Sequence, residues 1–287
     1  MANRGFRQKI REYRRSPVSA VLYMLVWLSM AITLAVLASL IAYIVYNGVP
    51  NLTLPGLFDW EYNSENVSMM PAIINTVIMT GLSLALAVPM GVFAAIYLVE
   101  YARRGNRLVK IVRITAETLA GIPSIVYGLF GYVLFVITLG WGYTLLSGAI
   151  TLAIMILPLI MRTTEEALIS VPDSFREGSF GLGAGKLRTV FKIVLPSASP
   201  GILAGTILAI GRIVGESAAL IFTAGTNPVV PDSLFASTRT LSVHMYALMN
   251  EGLYTPQAYA TAVVLLIVVV LINSLSGVVA KKLVNRR

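Results

Sequence analysis

The stretch Ala20–Tyr46, AVLYMLVWLSMAITLAVLASLIAYIVY, holds no Asp, Glu, Lys or Arg. An α-helix rises about 1.5 Å per residue, so a hydrocarbon layer about 30 Å thick needs about 20 consecutive apolar residues. Ala20–Tyr46 is long enough to cross, and five further runs resemble it: about Ala72–Val99, Ile114–Leu139, the shorter Tyr143–Met161, Ala198–Ala224 and Tyr259–Leu283. The period-2 alternation of half-buried strands is missing and the runs are too long for strands. These runs predict an all-α integral membrane protein with six transmembrane helices. It divides into a basic tail (1–19), a first helix (20–46) and a core of the remaining five helices (72–283).

Composition agrees. Hydrophobic residues make up 57% of the chain and charged residues 12%, against roughly 25% charged in soluble domains. The mean hydropathy is +0.80. A chain without cysteine has no disulfide, thiolate nucleophile, iron–sulfur cluster or cysteine–zinc site. A single histidine, His244, excludes a histidine-cluster metal site and reads as a surface residue of a loop. No metal or cofactor is expected on this chain. Arg4, Arg7, Lys9, Arg11, Arg14 and Arg15 precede the first helix as they would in a signal peptide. Its apolar stretch is about twice the usual length, however, and no small-residue cleavage site follows, so we expect it to be retained.

The formal charge of +9 reflects topology. All but two of the 22 Lys and Arg residues lie in the two tails or in the segments after the second and fourth runs. The intervening segment Asn47–Pro71 has none, and Thr226–Ala258 has only Arg239. Basic residues mark the cytoplasmic side, so both termini are expected there, and the charge requires no nucleic acid partner. The outer loop 226–258, with Pro228, Pro231 and Pro256, is expected to fold over the outer mouth. The inner loop 162–196 mixes Glu165, Glu166, Asp173 and Glu177 with five basic residues, and Val171-Pro172-Asp173-Ser174 reads as a helix start.

That inner loop has a specific spacing. Glu177-Gly178-Ser179 is followed by three residues and Gly183, then nine residues, Ile193, one residue and Leu195-Pro196. This resembles the E-A-A-x3-G-x9-I-x-L-P loop of type I ABC importer permeases, with the two alanines replaced by Gly178 and Ser179. Asn75-Thr76, Ala120-Gly121-Ile122-Pro123-Ser124-Ile125-Val126-Tyr127-Gly128, Arg162-Thr163-Thr164-Glu165 and Gly211-Arg212-Ile213-Val214-Gly215-Glu216-Ser217-Ala218 extend the resemblance to the permease subunits of bacterial phosphate importers, over about Asn75–Leu283. It implies the type I importer permease (MetI-like) fold in a bacterial cytoplasmic membrane. It also implies a sister permease that completes the pore, two ATPase subunits docked at Glu177, Gly178, Ser179, Gly183, Ile193, Leu195 and Pro196, and an extracytoplasmic phosphate-binding protein. Both permease subunits of such a system fit the pattern. The chain has no G-x-x-x-x-G-K-[ST] phosphate loop, so ATP hydrolysis is expected on a partner and none is expected here.

Arg212 and Glu216 stand out on physical grounds, because a charge near the middle of a membrane helix costs about 2.5–3.5 kcal/mol on insertion scales. Four apart on a helix, they would share a face, flanked by the small residues Gly211 and Gly215. Such a pair either clasps two helices or binds an anion. A guanidinium fork matches a phosphate edge, and a carboxylate can accept the hydroxyl proton of hydrogen phosphate, which sulfate lacks. Glu216 could equally only neutralise Arg212. Arg162 and Glu165, by resemblance, line the inner exit, or else are a solvated pair. Pro123 after Gly121 would break the third helix, and Ser124 and Ser217 would offer hydroxyls along the path. Glu117 reads as interfacial. Competing classes are a permease for another oxyanion, an ion channel, and an intramembrane enzyme. The last lacks a Ser–Lys, Asp–Asp or His–Glu constellation.

Overall fold

A computed structural model describes residues 17–63, 65–103 and 105–284. The basic residues up to Arg15, Arg104, Arg286 and Arg287 lie outside the described residues. Every regular element among the described residues is helical. The first run forms α1, Pro17–Gly48, apolar on all sides. None of its most apolar window is buried, as befits a helix facing lipid. It rests on the last helix, where the Tyr43 and Tyr259 hydroxyls meet at 3.1 Å. The second run forms α2, Met70–Ile96, prolonged by one π-helical turn at Tyr97–Tyr101.

The third run, Ile114–Leu139, is two helices, and the first of them starts earlier than the run, at Arg107. α3 spans Arg107–Ala120, and α4 spans Ser124–Gly131 with a π-helical continuation Tyr132–Thr138; the two are bent by 102°. The expected break at Pro123 is present. Proline has no N–H to continue the ladder, and at the break the Leu119 carbonyl accepts from Ile122 N at 3.1 Å and from the Tyr127 hydroxyl at 2.8 Å. Asn106 starts α3 by accepting from Leu108 N. Arg107, Lys110 and Arg113 thus stand on a helix rather than in a loop.

The fourth helix, α5, runs Leu145–Ile169, further than Tyr143–Met161. Arg162 and Glu165 therefore stand on its last turns, not in an inner loop beginning at 162. What remains of that loop is α6, Asp173–Gly181, and a turn through Gly185. The short helix α7, Lys186–Thr189, passes through a π-helical turn, Val190–Val194, into α8, Leu195–Val214. Ile193, Leu195 and Pro196 are therefore helical. A π-turn just before Pro196 accommodates a residue that cannot donate to the previous turn. The fifth run also breaks, at Gly215–Ser217, before α9, Ala218–Thr223. The outer loop holds α10, Leu241–Glu251, and α11, Thr255–Val284, closes the fold. Among the described residues, five helices are long and apolar enough to cross a membrane, and the bent α3–α4 pair, counted as one broken span, brings the number to six.

The core forms around α5, whose most apolar window is 67% buried. Its Leu152, Met155, Ile156 and Ile160 pack with Met79 and Ala87 of α2, Ala209 and Ile213 of α8, and Leu220 of α9. A second cluster lies nearer the basic end, around Ile96, Met161, Leu168, Val190 and Val194. The two broken spans meet at Gly128, where a Cβ would stand 2.8 Å from Ala219 Cα. Only glycine permits that approach, as small residues do in membrane packing. At the other end, Asn75 Nδ2 donates to the Val229 and Arg239 carbonyls (3.2 and 3.1 Å), and Thr76 Oγ1 accepts from Leu241 N (2.8 Å). His244 is not a surface residue: it is fully buried on α10, its ring edge-on to Tyr62. Burial, then the Arg239 charge, lower its pKa from 6.5 to about 3.

Candidate translocation cavity and coupling surface

The turn at Gly215–Ser217 separates the two residues that helical spacing would have paired. Arg212 is in the last turn of α8, whereas Glu216 lies in the turn and is buried. Glu216 Oε1 accepts from Ala219 N at 3.0 Å, and its carbonyl accepts from Ser242 Oγ at 2.5 Å. The carboxylate thus satisfies an amide at the start of α9 and ties the break to the outer loop. No ion pair joins Arg212 and Glu216 among the described residues. Their expected common helix face does not exist, because the helix ends between them.

Arg212 instead faces a cavity of about 590 Å³ between α3, α5 and α8, whose charged lining is Arg113, Glu117, Arg162, Glu165, Glu166 and Arg212. The structure therefore brings together Arg212, Arg162 and Glu165, which the sequence offers as two separate sets. Arg162 does not pair with Glu165. It contacts Glu166 at 3.1 Å and Glu117 at 3.7 Å, while Glu165, only 8% exposed, pairs with Arg113. Each lining carboxylate thus has a guanidinium. Of the three guanidinium groups, Arg212 alone lacks an ion pair among the described residues. Ser124 is the first residue of α4 and Ser217 lies in the second break; neither lines this cavity.

Sequence reasoning missed Arg113, Glu117 and Glu166 as cavity residues. The signal was present: Lys110, Arg113 and Glu117 recur at i, i+3 and i+7, a polar stripe on a helix. Hydropathy hides it, because Lys110 and Arg113 fall before the third apolar run, which starts at Ile114.

The spaced motif forms a second surface. Pro172 precedes α6, and Asp173 lies in its first turn, where an acid suits the helix dipole. Arg176 pins α6 to the end of α2: its Nη2 and Nε donate to Glu100 Oε1 at 2.7 and 3.0 Å, and further bonds reach the Leu168 and Val171 carbonyls. Both side chains are nearly buried. Neither was flagged by sequence, since only the fold brings positions 100 and 176 together. Ser179 is buried, its hydroxyl 2.8 Å from that of Thr189. Glu177, Gly178, Gly183 and Pro196 are exposed, and Ile193 and Leu195 half-buried. Gly183 has φ +83° with nothing near its missing Cβ. Around them stand the exposed apolar residues Phe175, Phe180, Leu187 and Leu182, the last 91% exposed.

The family model described as "binding-protein-dependent transport system inner membrane component" matches residues 87–287. The chain belongs to this family. It is a multi-pass protein of the bacterial cytoplasmic membrane with the fold of an ABC importer permease. The probable ABC transporter permease YqgI of Bacillus subtilis is 35% identical over 81% of this chain and 83% of its own. The phosphate transport system permease PstA 1 of Mycobacterium tuberculosis is 34% identical over 75% of this chain and 70% of its own. A chain of the bacterial alginate ABC transporter, solved with an alginate-bound periplasmic protein, superposes with a TM-score of 0.61 at 17% identity, over 87% of this chain and 92% of that one.

Proposed function

We propose that this permease is one of two membrane subunits of an ATP-driven importer of inorganic phosphate. The observation that carries the reading is Arg212, among the described residues the one guanidinium of the cavity without a carboxylate. A fork of N–H donors in a cavity wall matches an oxyanion edge. The named function of the mycobacterial relative supports phosphate as that oxyanion. Arg162 and Glu165 shape the inner end of the path, with Arg113 and Glu166 holding them in place. Ser124 and Ser217 sit at the breaks where the path would continue outward. A sister permease would close the open side of this cavity, and a binding protein would deliver phosphate at the outer end. Two ATPase subunits would supply the energy, one docking on the exposed apolar patch of α6. ATP hydrolysis belongs to those partners, and both termini face them.

Radiolabelled phosphate uptake into vesicles holding the assembled complex tests this, with sulfate, arsenate and molybdate as competitors. ATP-dependent phosphate uptake, blocked by arsenate and barely by sulfate, is expected. Uptake of sulfate or molybdate in preference to phosphate would assign the permease to another oxyanion.

A further inference from the structure

Beside the translocation cavity lies a larger one of about 820 Å³, open at the basic end of the bundle, between the end of α2, the start of α3 and the start of α6. Its charged lining is unbalanced. Glu100 and Asp173 are both held by Arg176, at 2.7 and 3.3 Å, and Glu117 faces Arg162. Arg113 is taken by Glu165. That leaves Arg103, Arg107 and Lys110 around the cleft, exposed and without an ion pair among the described residues.

The geometry of α3 says what such a cleft faces. α3 is bent by 102° from α4. If α4 crosses the bilayer, α3 must lie close to the membrane plane. It has no buried residue, and Leu108, Ile111 and Val112 are 69%, 57% and 43% exposed. An amphipathic helix in the membrane plane, apolar on one side and basic on the other, sits at the headgroup level with its apolar side in the acyl layer. Basic pockets between membrane helices at the cytoplasmic surface suit anionic headgroups.

We propose that this cleft is a binding site for an anionic membrane phospholipid. The headgroup phosphate would sit between Arg103, Arg107 and Lys110, and the acyl chains would lie against the apolar residues that line the same cleft, Val109, Ile114 and Ile169. The proposal rests on the orientation given above, which places this end in the anionic leaflet, but not on the identity of the transported ion.

The test uses the assembled complex in neutral detergent, titrated with phosphatidylglycerol or phosphatidylcholine at equal total lipid, with retained lipid counted by native mass spectrometry. Preferential retention of phosphatidylglycerol is expected. The Arg107→Gln, Lys110→Gln double variant should lower that preference by about 30-fold, and the swap Arg107→Lys, Lys110→Arg should keep it. Equal retention of both lipids, or an undiminished preference in the Gln variant, would overturn the site. Displacement of the lipid by millimolar orthophosphate would show a site for free phosphate instead. Loss of ATPase subunits from the Gln variant with lipid retention unchanged would show a protein-docking surface. If the Gln variant does not assemble, a photoreactive phosphatidylglycerol on the unaltered complex decides: label within 103–117 is expected, and label only elsewhere overturns the proposal.

Discussion

A guanidinium is always charged, so a cavity wall tolerates one only where water or an anion can reach it, because burial of an uncompensated ion costs several kcal/mol. Arg212 meets that condition at the 590 Å³ cavity, while Glu216 is spent on Ala219 N. The two residues should therefore behave independently on mutation. Arg212→Gln should leave the complex assembled and reduce phosphate uptake about 30-fold or more, since losing one side of a desolvated charged contact costs about 2–5 kcal/mol. Glu216→Gln keeps an amide oxygen to accept from Ala219 N, so uptake should fall little and sulfate competition should not change. Glu216→Ala removes the acceptor and should lower assembled yield, by about 0.5–2 kcal/mol of stability. Recovery of uptake in the Arg212→Gln, Glu216→Gln double variant would restore the clasp reading. Increased sulfate competition in Glu216→Gln would place its carboxylate on the ion. His244 gives a separate test. Its folded pKa of about 3 lies below the ordinary 6.5, so the unfolded chain takes up the proton first as pH falls. Stability is whole above pH ~6.5 and declines below it, by up to about 1.4 kcal/mol per pH unit. Thermal unfolding of the purified complex at about pH 7.5 and about pH 5.5 should show that loss. His244→Phe should remove the slope, because both ring nitrogens are buried without partners and a ring of similar size replaces them. An equal slope in His244→Phe would assign the acid sensitivity elsewhere. That the lone histidine is buried is not legible in the sequence: proline spacing reads as a loop, whereas contacts distant in sequence fold α10 inward, among them Thr76 with Leu241 N, Ser242 with the Glu216 carbonyl, and Leu241 and Leu248 in apolar clusters.

At the scale of elements, hydropathy shows where a chain is apolar but not where a helix turns. The sequence therefore shows the runs containing α1, α2, α5 and α11 with displaced ends and the break at Pro123 between α3 and α4, but not the break between α8 and α9. The polar ends of α5 and α3 read as loop in the sequence because charges lower a hydropathy window even on a helix. The spaced motif did better, because its glycine marks a backbone conformation. Gly183 ends α6 at φ +83°, which costs a residue with a Cβ about 1–2 kcal/mol. No atom lies within 4 Å of the missing Cβ, so a Cβ at this position meets no clash within this chain and the cost of the first added carbon is one of backbone conformation. Gly183→Leu should insert normally and lose co-purifying ATPase, whereas Gly183→Asn, which tolerates this region, should retain most of it. Equal loss in both variants would point to a steric contact with the ATPase instead of backbone strain.

At the scale of the whole molecule, two observations of different origin describe the same object. Hydropathy counts six crossings, and the described residues hold five long apolar helices that make six spans when the bent pair is counted as one. The basic residues divide the connecting segments into two sets, and the fold puts Arg103, Arg107, Arg176 and Lys186 at one end and the α10 segment at the other. What neither contains is the direction in the membrane, which follows only from the preference of Lys and Arg for the cytoplasmic side. Cysteine labelling can settle it without first removing native thiols, because the chain has none. The outer position should be Glu65, exposed in the segment before α2, rather than Asn63, whose side chain accepts from Glu65 N and Asn66 N at 3.0 and 2.8 Å and holds that turn. The inner position should be Ser174, exposed on the first turn of α6. With an impermeant maleimide on intact cells or spheroplasts, Glu65→Cys should label directly. Ser174→Cys should label only after the membrane is opened, and less in the assembled complex than in the free permease if an ATPase covers α6. Labelling of both from the same side would break the six-crossing topology, because α2 to α5 would then not span an odd number of times. Labelling of Ser174→Cys alone from outside would keep the crossings and invert them, moving the coupling surface and the lipid cleft to the opposite leaflet.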